Sequence, residues 1–439
     1  MKKVVKFGGS SLANAEQFQK VGDIIRSEES RRYVVPSAPG KRFSADTKVT
    51  DLLYACYDKA EAGEDFSDIL TEIKSRFYEI IKGLNLDLSL EEEFRQIEAD
   101  FKAHAGNEYA ASRGEFLNGK VMAAYLGYEF IDSATVIRFE KNGNFDADKT
   151  DKLLAKRLQK CERAVIPGFY GGMEDGTVKT FSRGGSDVTG SLVAKAIHAD
   201  IYENWTDVSG CLICDPRIVN NPEPIKTITY RELRELAYMG ATVLHEDAIF
   251  PVRAAGIPVN IKNTNQPEDR GTMIVSESAE HCDHIITGIA GKKGMSVINI
   301  EKDKMNSEIG FGKNVLRALE KSNVSFEHMP SGVDTMSVVI ATEALAGKET
   351  AIIDEIKSRV HPDQIYIESN LALIAVVGRG MKSARGTAAI LFSALADARV
   401  NIKMIDQGSS ELNIIIGVAE EDFEVAMKAI YNAFIKVKK

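Results

Sequence analysis

Lys6, Gly8, Gly9 and Ser10 stand close together in VVKFGGSSL, Val4 to Leu12. A lysine on a β-branched run, two glycines where the run ends and two hydroxyls at the mouth of a helical pattern suit a phosphate. Glycines let backbone N–H groups approach a ligand without an intervening Cβ. The N-terminus of the next helix adds unpaired N–H groups and a partial positive charge. Lys6 precedes the glycines, so the order is not that of a Walker A loop. A tight turn after a strand is the competing reading of these residues. A lysine between Val5 and Phe7 in a buried strand is costly without a partner, which favours a functional role.

Three further stretches carry chemistry. FSRGGSDVTGSLVAKAI, Phe181 to Ile197, joins a strand to a helix through Arg183, Gly184, Gly185 and Ser186. Arg183 offers a planar fork for a carboxylate or phosphate. Asp187 stands at the expected N-cap, where capping alone would account for it. In WTDVSGCLICDPR, Thr206 and Asp207 end a strand and a loop leads on to Arg217. Unstructured loops longer than about a dozen residues are often functional. In SRGEFLNGK, Glu115 stands at an expected helix start, where the helix dipole alone would suit an acid.

The elements that position these residues alternate strand and helix over the first two thirds. Strands are expected at Val4–Phe7, Tyr33–Ser37, Glu129–Ser133, Arg163–Gly171, Val178–Phe181, Asp200–Val208 and Ile257–Thr264. Helices are expected at Ala15–Arg26, over much of 52–102 with Ser89 as a cap, over 113–126, and after Asp187. This predicts an α/β fold with a mainly parallel sheet covered by helices on both faces. The last third changes character. Gly294–Ile300, Val324–Pro330, Thr335–Ala341 and Gln364–Ser369 read as strands around two helices, a ferredoxin-like βαββαβ unit. The pattern restarts at Leu371 and runs out before a sixth strand. His284–Ala290 is the unassigned strand that would close it, which inserts one unit into the other.

Composition bounds the alternatives. The chain has 439 residues, long enough for two or three domains. A net charge of −9 argues against a nucleic-acid footprint. No apolar run reaches the length of a membrane span and no signal peptide is expected, so a cytoplasmic location is anticipated. Five scattered cysteines suggest reduced thiols. Cys211-x-x-Cys214 has neither a second such pair nor a histidine cluster near it, so no metal site is expected.

VKFGGSS, SRGEFLNGK, SRGGSD, WTDVSG with DPR, VLHEDAIFPV and IPVNIKNT occur in this order. Together they resemble the aspartokinases, a branch of the amino-acid kinase family, and the tandem ferredoxin-like units resemble its ACT regulatory domains. The resemblance covers essentially the whole chain. It implies a catalytic domain over 1–283, a first ACT domain over 294–369, and a second over 370–439 plus the strand 284–290. It implies phosphoryl transfer from ATP to the side-chain carboxylate of L-aspartate, the entry to lysine, threonine and methionine biosynthesis. Lys6 and Asp187 would be catalytic, Lys6 over the transferring group and Asp187 orienting it. Phe7, Gly8, Gly9, Ser10, Gly184, Gly185, Thr206, Asp207 and Arg217 would surround ATP, with Mg²⁺ carried on its phosphates. Arg183 would clamp the aspartate carboxylate, Glu115 would pair with its ammonium, and Thr50 and Ser186 would complete the pocket. An amino-acid effector, lysine ahead of threonine, would bind near Met305, Glu308, Gly310, Ser325, Phe326 and Glu327. Glu308 and Glu327 would meet its ammonium group, and ACT pairing would give a homodimer or a dimer of dimers.

The chain departs from the family pattern in two places. Cys211-Leu212-Ile213 stand where a tyrosine is frequent, and Thr242 replaces a lysine that would help with the nucleotide phosphates. Lys262 is the substitute cation offered here. The competing readings are another amino-acid kinase and a non-catalytic ACT sensor. The presence of Lys6 and Arg183 speaks against the sensor.

Overall fold

The computed structural model describes residues 1–182, 184–241, 244, 246–277 and 284–436. The elements run β1 (Lys3–Phe7), α1 (Ala15–Arg26), β2 (Arg31–Pro36), α2 (Val49–Glu61), α3 (Ser67–Gly83), α4 (Glu91–Lys102), α5 (Asn107–Leu126) and β3 (Glu129–Phe130). Next come α6 (Ser133–Val136), α7 (Ala147–Leu158), β4 (Ala164–Val165), β5 (Tyr170–Gly172), β6 (Val178–Thr180), α8 (Gly185–Ala196) and β7 (Ile201–Thr206). They continue as β8 (Thr227–Thr229), α9 (Tyr230–Tyr238), α10 (Phe250–Ala254), β9 (Val259–Asn263) and β10 (Thr272–Val275). The last third holds β11 (Gly288–Glu301), α11 (Phe311–Lys321), β12 (Thr335–Ala341), α12 (Thr342–Leu345), α13 (Glu349–Val360), β13 (Gln364–Val377), α14 (Thr387–Asp397), β14 (Ile402–Asp406), β15 (Asn413–Ala419) and α15 (Phe423–Tyr431).

These elements form two compact units. One comprises Met1–Cys211, Pro224–Tyr230 and Val243–Ser278, and the other Leu212–Glu223, Arg231–Thr242 and Ala279–Lys439. The first unit holds an eight-stranded sheet in the order β3-β4-β2-β1-β7-β9-β10-β8, with β1 inside it. All pairings in it are parallel except β9 with β10. Every residue of β1 is buried, as a strand covered on both faces requires. The pleat sends Val5 and Phe7 into a large apolar cluster with Phe18, Trp205 and residues of α2 to α5. The other face of β1, with Val4 and Lys6, meets α8. There Gly190 allows a close approach, since a Cβ on it would come 2.5 Å from the Tyr202 hydroxyl.

The expected long helical stretch is three helices, α2, α3 and α4. The cap of α4 is Leu90 rather than Ser89, whose Oγ lies 3.4 Å from the Glu91 amide that donates to it. The 163–171 run splits into β4 and β5 at Pro167, which lacks an N–H for the ladder.

The second unit carries one antiparallel sheet, ordered β12-β11-β13-β15-β14. The sequence suggests breaks over 291–293 and at Asn370. Instead β11 and β13 run through both ferredoxin-like halves as strands of 14 residues each. Two register shifts absorb the turn-forming residues as bulges, one between Lys292 and Met295 on β11 and one between Met295 and Val297, opposite Asn370 of β13 at φ 60°. The strand expected over Val324–Pro330 is reduced to isolated bridges, His328 with Val339 and, beyond it, Ser331 with Met336. Pro330 between them cannot donate to a ladder.

Candidate active site

Lys6 is opposite Val35 on one side and Asn204 on the other, in the interior of the sheet. Its ammonium lies 2.6 Å from Asp187 Oδ1, and Asn204 Nδ2 donates to the same oxygen at 3.0 Å. Lys6 is only 9% exposed, so the Asp187 carboxylate offsets a charge that burial alone would penalise. Asp187 is not the N-cap of α8. Gly184, in the left-handed region at φ 56°, caps that helix without a side-chain bond. Asp187 falls in the first helical turn, which leaves its carboxylate free for Lys6. Sequence reasoning missed Asn204. Its signal is the register that sets it opposite Lys6 on the same face.

The glycine loop is only partly open to a ligand. The Gly8 N–H donates to Trp205 O at 3.0 Å and continues the β1–β7 ladder, so it does not serve a phosphate as the motif suggested. The Gly9 and Ser10 amides have no acceptor among the described residues. Gly9 is glycine because another backbone touches it. A Cβ there would lie 2.8 Å from Ala38 O, and one on Gly40 would lie 2.6 Å from the Gly9 carbonyl carbon. The Gly40 N–H donates to Gly9 O at 2.8 Å. In the second loop, Gly185 packs under Phe169, and a Cβ on Gly168 would lie 2.4 Å from Ser186 Oγ. Phe169 has φ 81°, uncommon for a bulky residue. Arg183 and Thr242 lie outside the described residues.

Glu115 is well inside α5, which begins at Asn107, so the helix-dipole explanation does not apply. It is 6% exposed, and its Oε2 is buried without a hydrogen-bond partner among the described residues. Burial pushes its pKa up to about 8, while the Ala38 amide and the charges of Arg113 and Lys6 pull the other way. The neighbouring Gly114 packs α5 against Ala38 and Val49, beside Thr50 in the first turn of α2. One turn on, Asn118 Nδ2 donates to Ser37 O at 2.6 Å, and its Oδ1 is buried without a partner. A half-satisfied carboxylate one helical turn from an amide oxygen without a partner among the described residues is a place for an ammonium donor.

The remaining expected residues have other partners. Thr206 and Asp207 lie at the end of β7, level with Gly8, and the Thr206 hydroxyl donates to Asp207 at 3.1 Å. Lys262 is opposite Trp205, on the face away from Lys6. Its ammonium donates to Asp269 O at 2.7 Å and lies 5.2 Å from the Trp205 ring centroid. The structure therefore does not bring it to the phosphate side. Arg217 falls in the second unit, largely exposed, with its guanidinium 2.6 Å from Asp215 Oδ2. The Cys211 and Cys214 thiols are pushed up by burial to about 12 and 11, which leaves them protonated and inert.

In the second unit the six effector residues separate. Met305 is buried in the core with Ile298 and Phe311. Gly310, at φ 86°, caps α11. Glu308 pairs with Lys302, and Glu327 Oε2 lies 2.7 Å from Lys292 Nζ. Both carboxylates thus already hold ammonium groups of this chain. Ser325 and Phe326 line a cleft of about 520 Å³ with Leu316, Leu319 and Val324.

A buried, carboxylate-held lysine, loop amides without an acceptor among the described residues and a mainly parallel sheet stand together in the first unit. The Amino acid kinase family model matches residues 1–263, and an ACT domain model matches 374–434. The chain belongs to the amino acid kinase family and, within it, to the aspartokinases. Aspartokinase 3 of Bacillus subtilis strain 168 is 41% identical over 448 residues, spanning 98% of each chain. The crystal structure of Clostridium acetobutylicum aspartate kinase, described as an allosteric enzyme, matches with a TM-score of 0.92 at 54% identity, covering 98% of this chain and 100% of that one. Escherichia coli aspartokinase III in complex with aspartate and ADP, the R-state, matches at 0.74 and 26% identity over 99% of each chain. The same enzyme with lysine and aspartate, the T-state, matches at 0.72 and 26% over 98% of this chain and 99% of that one.

Proposed function

We infer that this chain transfers the γ-phosphoryl group of ATP to the side-chain carboxylate of L-aspartate, giving ADP and 4-phospho-L-aspartate. The observation that carries this reading is the buried Lys6–Asp187–Asn204 cluster near the half-satisfied Glu115. A carboxylate oxygen bonds to the γ-phosphorus as the bond from that phosphorus to the β,γ-bridging oxygen breaks, and its electron pair leaves with ADP. The nucleophile is already an anion, so no general base is needed. The difficulty is bringing two anions together, which positioning and fixed positive charge overcome. Lys6, held by Asp187, offsets charge at the transferring group. The Gly9 and Ser10 amides, with Phe7 and the Gly184–Gly185 turn, receive phosphate oxygens. Thr206 and Asp207 meet the nucleotide. Glu115 takes the substrate ammonium, Arg183 its carboxylate, and Thr50 and Ser186 flank the pocket. Among the described residues no group of three or more His, Cys, Asp or Glu forms a metal cage. Mg²⁺ would arrive carried on the phosphates of ATP.

We assign catalysis to residues 1–283 and regulation to 294–369 and 370–439 with the strand 284–290. The lysine-bound T-state of the Escherichia coli enzyme supports an amino-acid effector, lysine ahead of threonine. ACT pairing between two copies gives a homodimer as the simplest closed assembly, or a dimer of dimers. Among the described residues no helix is long and apolar enough to cross a membrane. The test is acyl-phosphate formation, trapped with hydroxylamine, from ATP, Mg²⁺ and L-aspartate. Aspartate-dependent hydroxamate that disappears in Lys6→Ala and falls with added lysine supports the reading. No product from the folded wild-type chain would overturn it.

A further inference from the structure

The helical stretch after Thr50 carries no motif, yet α3 sends one buried cation toward the site. Arg76 is 2% exposed. Its Nη2 donates to Gly40 O at 2.7 Å and its Nη1 to Thr47 O at 3.0 Å. The same Nη1 lies 3.1 Å from Asp46 Oδ2. Asp46 is also gripped by Arg42, from its Nε at 3.0 Å and its backbone N–H at 2.8 Å, which holds the carboxyl well below its ordinary range. Both ends of the loop from Ala38 to Thr50 are thereby tied to one guanidinium.

That loop touches both halves of the candidate site. At one end Gly40 lies backbone to backbone on Gly9, whose own amide has no acceptor among the described residues. At the other, Val49 N–H donates to Pro39 O at 3.2 Å, which starts α2 and sets Thr50 in its first turn. Ala38, which starts the loop, packs on Gly114, next to Glu115. A buried guanidinium is a costly fastening, and an apolar side chain would fill the same space at less expense to folding. Its planar fork holds two carbonyls and a carboxylate from two separated nitrogens in fixed directions, a geometry that the compact ammonium of a lysine does not reproduce.

We propose that Arg76 is a positioning residue of the phosphoryl-transfer site, clamping the 38–50 loop so that the Gly9–Ser10 amides and the Thr50–Glu115 wall keep their separation. This rests on the kinase reading above. It differs from a plain core contact in predicting a joint effect on both substrates.

The test compares Arg76→Ala, Arg76→Lys and the core-thinning control Ile80→Val, also on α3, by hydroxamate kinetics well below each melting temperature. Arg76→Ala is expected to lose about tenfold to a hundredfold in kcat/KM toward both ATP and aspartate, the scale of a misplaced reacting group. Arg76→Lys is expected not to recover it. Millimolar guanidinium is expected to restore part of the Arg76→Ala rate and to leave Ile80→Val unchanged. Folded Arg76→Ala with wild-type kinetics would overturn the proposal. So would a loss that only tracks the unfolded fraction, as in Ile80→Val, with no response to guanidinium. If Arg76→Ala does not fold, Arg76→Lys decides, with full activity overturning the clamp. If the wild-type chain forms no acyl phosphate, the kinase reading fails and MgADP calorimetry still decides. Weaker binding by Arg76→Ala supports the clamp, and equal binding overturns it.

Discussion

Two charged clusters share the β1–β7 strand pair on opposite faces, and they differ in what they leave unpaired. On one face Glu203 is 2% exposed and fully enclosed. Lys3 Nζ reaches its Oε1 at 2.9 Å, while Arg31 Nε and Trp205 Nε1 donate to its Oε2 at 2.9 Å each. Arg31 also donates to Ile24 O at 2.6 Å and stacks over the Trp205 ring. On the other face Lys6 and Asn204 meet Asp187, and nearby stand open loop amides and the half-satisfied Glu115. The first cluster is closed, so its energy goes into the fold. The second keeps unused hydrogen-bonding capacity, so part of its energy is available to a ligand. Burial and residue type do not separate structure from function here. Satisfaction does.

The sharpest test of this contrast is a pair of deletions. Glu203→Ala leaves Lys3 and Arg31 without their shared anion and is expected to cost about 3–5 kcal/mol in denaturant unfolding. Lys6→Ala is expected to lower kcat about a hundredfold to a thousandfold, the range for removing one charge-stabilising group, with little change in melting temperature. If Lys6→Ala unfolds the chain while Glu203→Ala leaves stability intact, the assignment of roles is reversed.

Asn204→Ala removes a donor that orients Asp187 without touching substrate. We expect a fall in kcat of about tenfold, the lower end for a misplaced catalytic group, with KM for aspartate unchanged. A change confined to KM would place Asn204 at the substrate instead.

Glu115 gives a pH signature. Its pKa is raised to about 8, so the folded chain holds a proton that the unfolded chain releases near 4.5. Stability without substrate should therefore fall as pH climbs from about 4.5 toward 8, because the native state binds more protons there. The KM for aspartate should fall over the upper part of that window as the carboxylate ionises to receive the ammonium. Glu115→Gln should flatten both trends, measured by thermal melts and initial rates across pH, and a KM slope that survives it would assign the titration elsewhere. The smallest effect is expected for Lys262→Met. It stands on the Glu203 side, so KM for ATP should stay within about twofold, since only groups that contact the ligand alter its binding strongly. A tenfold rise would return Lys262 to the nucleotide site.

Much of this was legible beforehand. The run Val4–Phe7 and the helix Ala15–Arg26 are read from local pattern because burial and amphipathic period are strong in both. Lys6 announces phosphate chemistry because few other roles justify a lysine in a buried strand, whereas capping and the helix dipole would account for Asp187 and Glu115, whose roles came only with the family resemblance. Asn204, Gly40 and Arg76 were not legible, since their roles depend on neighbours distant in the chain. Lys262 was misplaced because strand parity is a matter of register. A shift of one residue sends a side chain to the opposite face. Gly8 was misjudged for a related reason, as its amide extends a ladder whose partner strand is far along the sequence.

The sequence by itself determined the family, the alternation of strands and helices, the two ferredoxin-like halves and the inventory of charged groups. Those follow from local propensity, hydrophobic period and motif order, which nearest neighbours along the chain encode. Only the tertiary structure decided which of those charges are closed and which are open, on which face each stands, and that β11 and β13 run unbroken through both halves of one sheet. Those outcomes depend on pairing between distant strands and on the exclusion of water from particular atoms, and neither is a property of any short stretch of residues.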